Sequence, residues 1–245
     1  MTATSTTAAE LTVMISGGFA LAYQEVVPAF ERATGIAVTT LSGASQGTGP
    51  KTIRAQLDRG THVDVVILSN EGLHALVEAG LIVEGSPVEL ATAPLAAAVR
   101  AGTRRPDIGS VEALTRTLLE ARLVVMPGST SGLFILNEVL PRLGIAGTVR
   151  SKVFPRGTES AAALAAGEAD IALGPISELV NIAGIEPVGP LPDAVQLVQT
   201  FTAAITRSSR DPEAAALLTG FLGSDQTTAA IQAMGMEPVR DRAAP

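Results

Sequence analysis

The 245-residue chain has no cysteine, so disulfide staples, thiolate nucleophiles and cysteine-based zinc sites are excluded. It has no tryptophan, one tyrosine and only 3% aromatic residues, too few to build stacking platforms for nucleic-acid bases. Positive charge is also short. Seventeen Lys and Arg stand against 24 Asp and Glu, for a formal net charge of −7, and no basic stripe is present to meet a phosphate backbone. No nucleic-acid partner is expected. Histidine is limited to His62 and His74, twelve residues apart and outside any HExxH pattern, so neither a metal nor another cofactor is expected. No segment reaches the roughly 18 uninterrupted apolar residues of a membrane span. The opening MTATSTTAAE has no basic start and no apolar run of signal-peptide length. As written it predicts a cytoplasmic protein; a periplasmic one is expected if a leader has been trimmed away.

What is abundant is aliphatic. Hydrophobic residues make up 47% of the chain, mostly Ala, Val, Leu and Ile, enough for two cores in lobes of about 100 residues each. Short apolar runs alternate with amphipathic stretches, the pattern of βαβ units around a mostly parallel sheet. LTVMI (11–15) reads as a buried strand, broken by Gly17-Gly18 and followed by a helix over 19–34 with Gly35 past its end. A strand over 36–41 leads into the Gly/Ser-rich loop 42–50, and Pro50 suits the first position of a helix over 51–59. A third unit pairs the strand 63–68 with a helix over 71–79. Residues 88–101 read as an extended crossover and 110–121 as a helix capped by Ser110. The logic then repeats, with strands at 123–126, 149–154 and 171–173 and helices at 133–143, 159–166 and 177–182. A long strand-like run, 195–205, returns toward the start, and helices over 212–222 and 226–234 close the chain. The expected fold is α/β, with one lobe from residues 10–92 and 203–245 and the other from 93–202.

The polar loops fall where strands end and helices begin. There the first helical N–H groups have no internal partners, and the macrodipole concentrates partial positive charge. Small residues admit a ligand close to the backbone, and hydroxyls add donors, so such loops bind anions without lysine or arginine. Four loops qualify: Ser16-Gly17-Gly18-Phe19; Ser45 and Gln46 with Thr48; Ser69-Asn70; and Ser129-Thr130-Ser131-Gly132. Any one of them can equally be an ordinary cap and turn. Arg156 after the fifth strand and Ser177 after the sixth complete the candidate set, and a carboxylate could pair with that arginine.

In order and spacing, LTVMISGGF, PAFERATGIAV, LDRGTHVDVVILSN, VMPGSTSGLFILNEVL, LAAGEADIALGPISE and the closing RDPEAAALLTGFLGSDQTTAAIQAMGMEP resemble the molybdate-binding-protein-like branch of the type II periplasmic solute-binding proteins, over roughly residues 11–238. The resemblance implies two α/β lobes joined by two crossover strands near 91–97 and 199–204, with a small anion held between them and hinge closure upon it. Ser16 matches the branch's first-loop serine, and Ser131-Gly132 fall where the second lobe offers backbone N–H groups. Two molybdate contacts are replaced: Gly49-Pro50 stand in place of a serine and Pro175 in place of a tyrosine. That favours an organic carboxylate over a molybdate-type oxyanion. If the protein is exported, the resemblance implies an ABC-type transporter as partner.

The aconitate isomerases resemble the same branch, which makes a cytoplasmic isomerase of a small unsaturated polycarboxylate the alternative. That chemistry needs a group to remove a proton near a carboxylate and return it, and donors to hold enolate charge. Tyr23 is four residues past Phe19 and suits packing as well as catalysis; His62, at the start of its strand, is expected to face away from the cleft. His74 reads as a surface helix residue, and Glu159 and Glu178 as carboxylates placed at helix starts to meet the dipole. None of these identifies the proton carrier from sequence alone.

Overall fold

A computed structural model describes residues 9–240. Strand β1 (Glu10–Ile15) buries Leu11, Val13 and Met14 completely, so both its faces are covered, as a central parallel strand requires. Helix α1 (Gly17–Thr34) starts at the first glycine of the pair and ends on Gly35, whose φ of 72° needs a residue without a β-carbon. Strand β2 (Ala37–Ser42) runs parallel to β1, and the short helix α2 (Ile53–Asp58) follows. Its cap is Thr52, whose hydroxyl accepts from the Ala55 N–H at 3.2 Å, so Pro50 lies outside the helix expected to begin with it. Strand β3 (Val65–Ser69) and helix α3 (Asn70–Glu78) complete the third unit.

Strand β4 (Val88–Arg100) joins the lobes. Its first half, Val88–Pro94, pairs antiparallel with β9 (Val198–Ile205). Its second half, from Leu95, lies between β7 (Ile171–Pro175) and β8 (Ile185–Pro190). With β5 (Val124–Pro127), β6 (Ser151–Phe154) and β10 (Glu237–Pro238), the first sheet runs β2-β1-β3-β9-β4-β10 and the second β8-β4-β7-β5-β6. The changeover is stitched by a side chain: Gln196 Oε1 accepts from the Leu95 N–H at 2.7 Å and its amide donates to the Leu95 carbonyl at 3.1 Å. Residues 198–202, expected in the second lobe, pair in the first sheet with β3 and β4. Residues 241–245 of the expected first lobe lie outside the described chain.

Each sheet has an apolar layer on both faces, built from alternate residues of the same strands. In the first, Leu11, Val13, Val65 and Ile67 pack toward α1, α8 (Pro212–Leu222) and α9 (Thr228–Ala233), while Met14, Val66 and Leu68 pack toward α2 and α3. In the second, Val124, Met126, Ile171 and Leu173 meet α4 (Val111–Glu120), while Val125 and Ala172 meet α7 (Gly157–Ala165). Helix α5 (Thr130–Phe134) begins three residues before the expected start, so the Ser/Thr run forms its first turn; it continues through a π-type turn, Ile135–Val139, into α6 (Leu140–Arg142). Strand β8 gave no strand signal in the sequence, because Pro187, Gly189 and Pro190 suppress it; as an edge strand bonded only to β4 it tolerates them. Among the described residues, no helix is long and apolar enough to cross a membrane.

Candidate functional site

The carboxyl ends of β1, β2, β6 and β7 face a cavity of about 440 Å³ between the lobes, the position where open α/β sheets place their ligands. Ser16, Gly17 and Gly18 enter it from the start of α1, Ser42 and Ser45 from the end of β2, Ser129 and Ser131 from the start of α5. Arg156 and Gly157 enter from the start of α7, and Ser177 and Glu178 from the single 3-10 turn, Ile176–Glu178, after β7. Gln199 and Phe201 come from β9, and Ile15, Leu21, Leu41 and Ile182 supply apolar wall.

Buried polar atoms in folded proteins almost always have hydrogen-bond partners, because leaving one bare costs about 1–3 kcal/mol. Among the described residues five buried side-chain atoms have none, and four of these belong to residues that line the cavity: Ser16 Oγ, Ser177 Oγ, Glu178 Oε2 and Gln199 Oε1. Ser16 is the cap of α1, yet its hydroxyl makes no capping bond. These unpaired oxygens lie around the starts of α1 and α7, where backbone N–H groups favour negative charge, and on β9.

Charge in the wall comes from Lys51, Arg156 and Glu178. The two cations are exposed at the rim, and Arg156 reaches across the lobes to donate to Ser42 Oγ at 3.1 Å. Glu178 lies deeper. Its residue surface is half-buried, but Oε2 is sealed from solvent, and its carboxyl occupies the space a β-carbon would need at both Gly17 and Gly157. Burial pushes this carboxyl up to about 7.

The structure gathers eight of the fifteen expected ligand residues around the cavity: Ser16, Gly17, Gly18, Ser45, Ser129, Ser131, Arg156 and Ser177. The other seven face elsewhere. Phe19 is fully buried in the first core beside Phe201, with ring centroids 6.5 Å apart. Ser69 and Thr130 are spent on each other, their hydroxyls 2.9 Å apart across the lobes. Asn70 bonds Glu89 and Thr202, Gln46 reaches the Glu71 carbonyl at 3.5 Å, Thr48 is exposed, and Gly132 packs against the Pro127 carbonyl. Tyr23 is a core residue with its Oη 3.2 Å from Thr40 Oγ1, and burial pushes its phenol up to about 12. His62 lies 3.3 Å from Asp64, at the other end of β3 from the cleft. Glu178 is where the sequence reading fell short: it closes a one-turn 3-10 segment, so no dipole of its own helix explains it, and its carboxyl turns into the cavity. A signal was there, since Glu178 follows a strand end as closely as the candidate Ser177 does.

Residues 11–237 match the family described as bacterial extracellular solute-binding protein. The chain belongs to that family. An aconitate isomerase from a Pseudomonas species is 34% identical over 230 residues, covering 94% of this chain and 88% of that protein. The periplasmic molybdate-binding protein of Azotobacter vinelandii shares the fold with a TM-score of 0.72 at 18% identity, over 92% of this chain and 98% of the other. PEB3 with bound L-phospholactate superposes with a TM-score of 0.70 at 14% identity, over 93% of this chain and 99% of the other. At such identities the two structures speak for the architecture, and they bear out the expected two-lobed type II binding-protein fold.

Proposed function

We propose that this member of the solute-binding family holds a small unsaturated polycarboxylate between its lobes and interconverts its isomers, as an aconitate isomerase does. The observation that carries the reading is a single cavity lined by four residues with unpartnered buried polar atoms, with Lys51 and Arg156 at the rim. The Ser16 and Ser177 hydroxyls, with Lys51 and Arg156, can donate to carboxylate oxygens, and the apolar wall of Ile15, Leu41 and Phe201 suits a hydrocarbon skeleton, which a bare oxyanion lacks. The 34% identity to an aconitate isomerase supports conversion in addition to binding. The chemistry is a proton shift along an allylic system flanked by carboxylates, with enolate charge held by the N–H groups that open α1 and α7.

The test is proton NMR of cis- and trans-aconitate with the purified protein in deuterated water, beside thermal melts with the same acids, molybdate and sulfate. A carboxylate at a hundred times its dissociation constant should add about 2.7 kcal/mol of stability, a melting shift of about 5–10 °C. Its resonances should exchange or convert. The family match along nearly the whole chain favours a second reading, a solute receptor that hands an anion to a membrane transporter. An anion that stabilises the protein and stays chemically unchanged would select it.

A further inference from the structure

We infer that the Glu178 carboxyl is the proton carrier of the cleft, taking a proton from a methylene carbon of the bound acid and returning one to the far end of its double bond. The inference rests on the isomerase reading above. Two observations place the group. Its Oε2 is sealed from solvent and has no hydrogen-bond partner, although the cavity wall is otherwise rich in hydroxyls. Its carboxyl fills the β-carbon space of Gly17 and of Gly157, the first residues of α1 and α7 on opposite lobes. Alanine at either position would collide with it, so both helices open on the residue that lets the carboxyl sit at their N-termini.

A carboxyl kept there for structure would be paired or doubly bonded, because a bare buried charge is costly. No ionised group faces it. Arg156 and Lys51 are exposed at the rim, and Arg156 bonds Ser42. On α1 the first charged side chain is Glu25, more than two turns beyond Gly17; on α7, Glu159 is exposed. Arg100 lies at the far end of β4, opposite Ile185, and Glu186 of β8 pairs with Val99. Burial therefore outweighs the favourable pull of the helix N-termini and brings the carboxyl up to about 7, where both protonation states are populated at neutral pH.

The step balances without a co-reactant. Ionised Glu178 takes a proton from the methylene carbon, and the C–H electrons form the new double bond. The old π pair moves out into the carboxylate on the former vinyl carbon, giving a dienolate that the α1 and α7 N–H groups can hold. Glu178, now protonated, delivers its proton to that former vinyl carbon. The acid's formula is unchanged, and the residue ends ionised as it began.

The test compares wild type, Glu178→Gln and Glu178→Asp with cis- and trans-aconitate in deuterated water, reading conversion and deuterium uptake by NMR and binding by calorimetry. The glutamine variant should bind within about threefold of wild type, or tighter for having one less negative charge, while conversion and exchange fall by about 10²–10⁴-fold. The wild-type rate should rise with pH along a limb near 7 that the residual rate of the variant lacks. Exchange by Glu178→Gln within about tenfold of wild type would overturn the assignment and leave the isomerase reading standing. Wild type that binds aconitate and neither exchanges nor converts it would sink both. Should the glutamine variant fail to fold, Glu178→Asp decides. Its shorter carboxyl should lower kcat with KM little changed, and a wild-type kcat would count against the assignment.

Discussion

At the scale of single residues, Glu178 and Asp64 are both carboxylates taken out of water, and their partners send them in opposite directions. Burial raises Glu178, and no hydrogen bond or charged side chain compensates. Burial would raise Asp64 as well, but it accepts from the Thr12 and Arg210 N–H groups and the Ser209 hydroxyl and faces His62, and together these hold it below the usual range. The consequences for stability have opposite signs. A carboxyl raised in the folded state binds its proton more tightly there, so its contribution is full below the unfolded value near 4.3 and is lost as pH rises toward 7. Glu178→Gln should therefore melt higher than wild type at pH 8, by about 5 °C for roughly 1–2 kcal/mol, and the gap should close by pH 4.5. An unchanged gap across that range would mean the carboxyl is solvated. Asp64 contributes above its unfolded value and loses that contribution as pH falls through its lowered folded one. Replacing it by alanine should cost about 3 kcal/mol at pH 7 in urea unfolding, with a smaller penalty below pH 4. A loss under 1 kcal/mol at pH 7 would show that water replaces its bonds.

At the scale of elements, the rule that loops after parallel strands carry the site was enough to find Ser16, Ser45, Ser131 and Ser177, all of which line the cavity. The rule says nothing of which way a side chain turns within the first helical turn. That is why Thr130, beside Ser131, bonds Ser69 instead, and why Phe19 points into the core. The helix starts were legible only to within a few residues because glycines begin them. Gly17, Gly157 and the Gly132 turn read as breaks by propensity, yet each is small because something already fills the β-carbon position. Glu178 was missed for a related reason: its role depends on two glycines more than twenty residues away in sequence, and no local pattern records that. The steric argument can be checked at Gly132, where an added β-carbon would collide with the Pro127 carbonyl, which is backbone and cannot swing aside. Gly132→Ala should cost about 2–3 kcal/mol in urea unfolding. A loss below about 0.5 kcal/mol would mean that the β5–α5 junction yields easily.

At the scale of the whole molecule, the two lobes are joined through the changeovers at Pro94–Leu95 and just before Val198; among the described residues, the Ser69–Thr130 hydroxyl pair and the Arg156–Ser42 bond cross the cleft, and Asn181 donates from the second lobe to the Ala233 carbonyl of the first. We take these changeovers as the hinge of a closing motion. The rim bond, Arg156 to Ser42, is exposed and contributes little. The buried one, Ser69 to Thr130, is made only while the lobes are together, and should favour the closed form by about 1 kcal/mol. Thr130→Val keeps the shape of the side chain and leaves Ser69 unpartnered, so it biases the equilibrium toward opening without touching the cavity wall. If the free protein is mostly open, apparent affinity for a carboxylate ligand should fall by about fivefold, the full value of that bias. If it is mostly closed, the loss should be smaller, and small-angle scattering of the free variant should show a larger radius of gyration than wild type. Saturating ligand should bring both proteins to the same compact radius. A variant with unchanged affinity and a ligand-insensitive radius would mean that the lobes do not move, and that ligand reaches Ser16 and Glu178 through the rim as it stands.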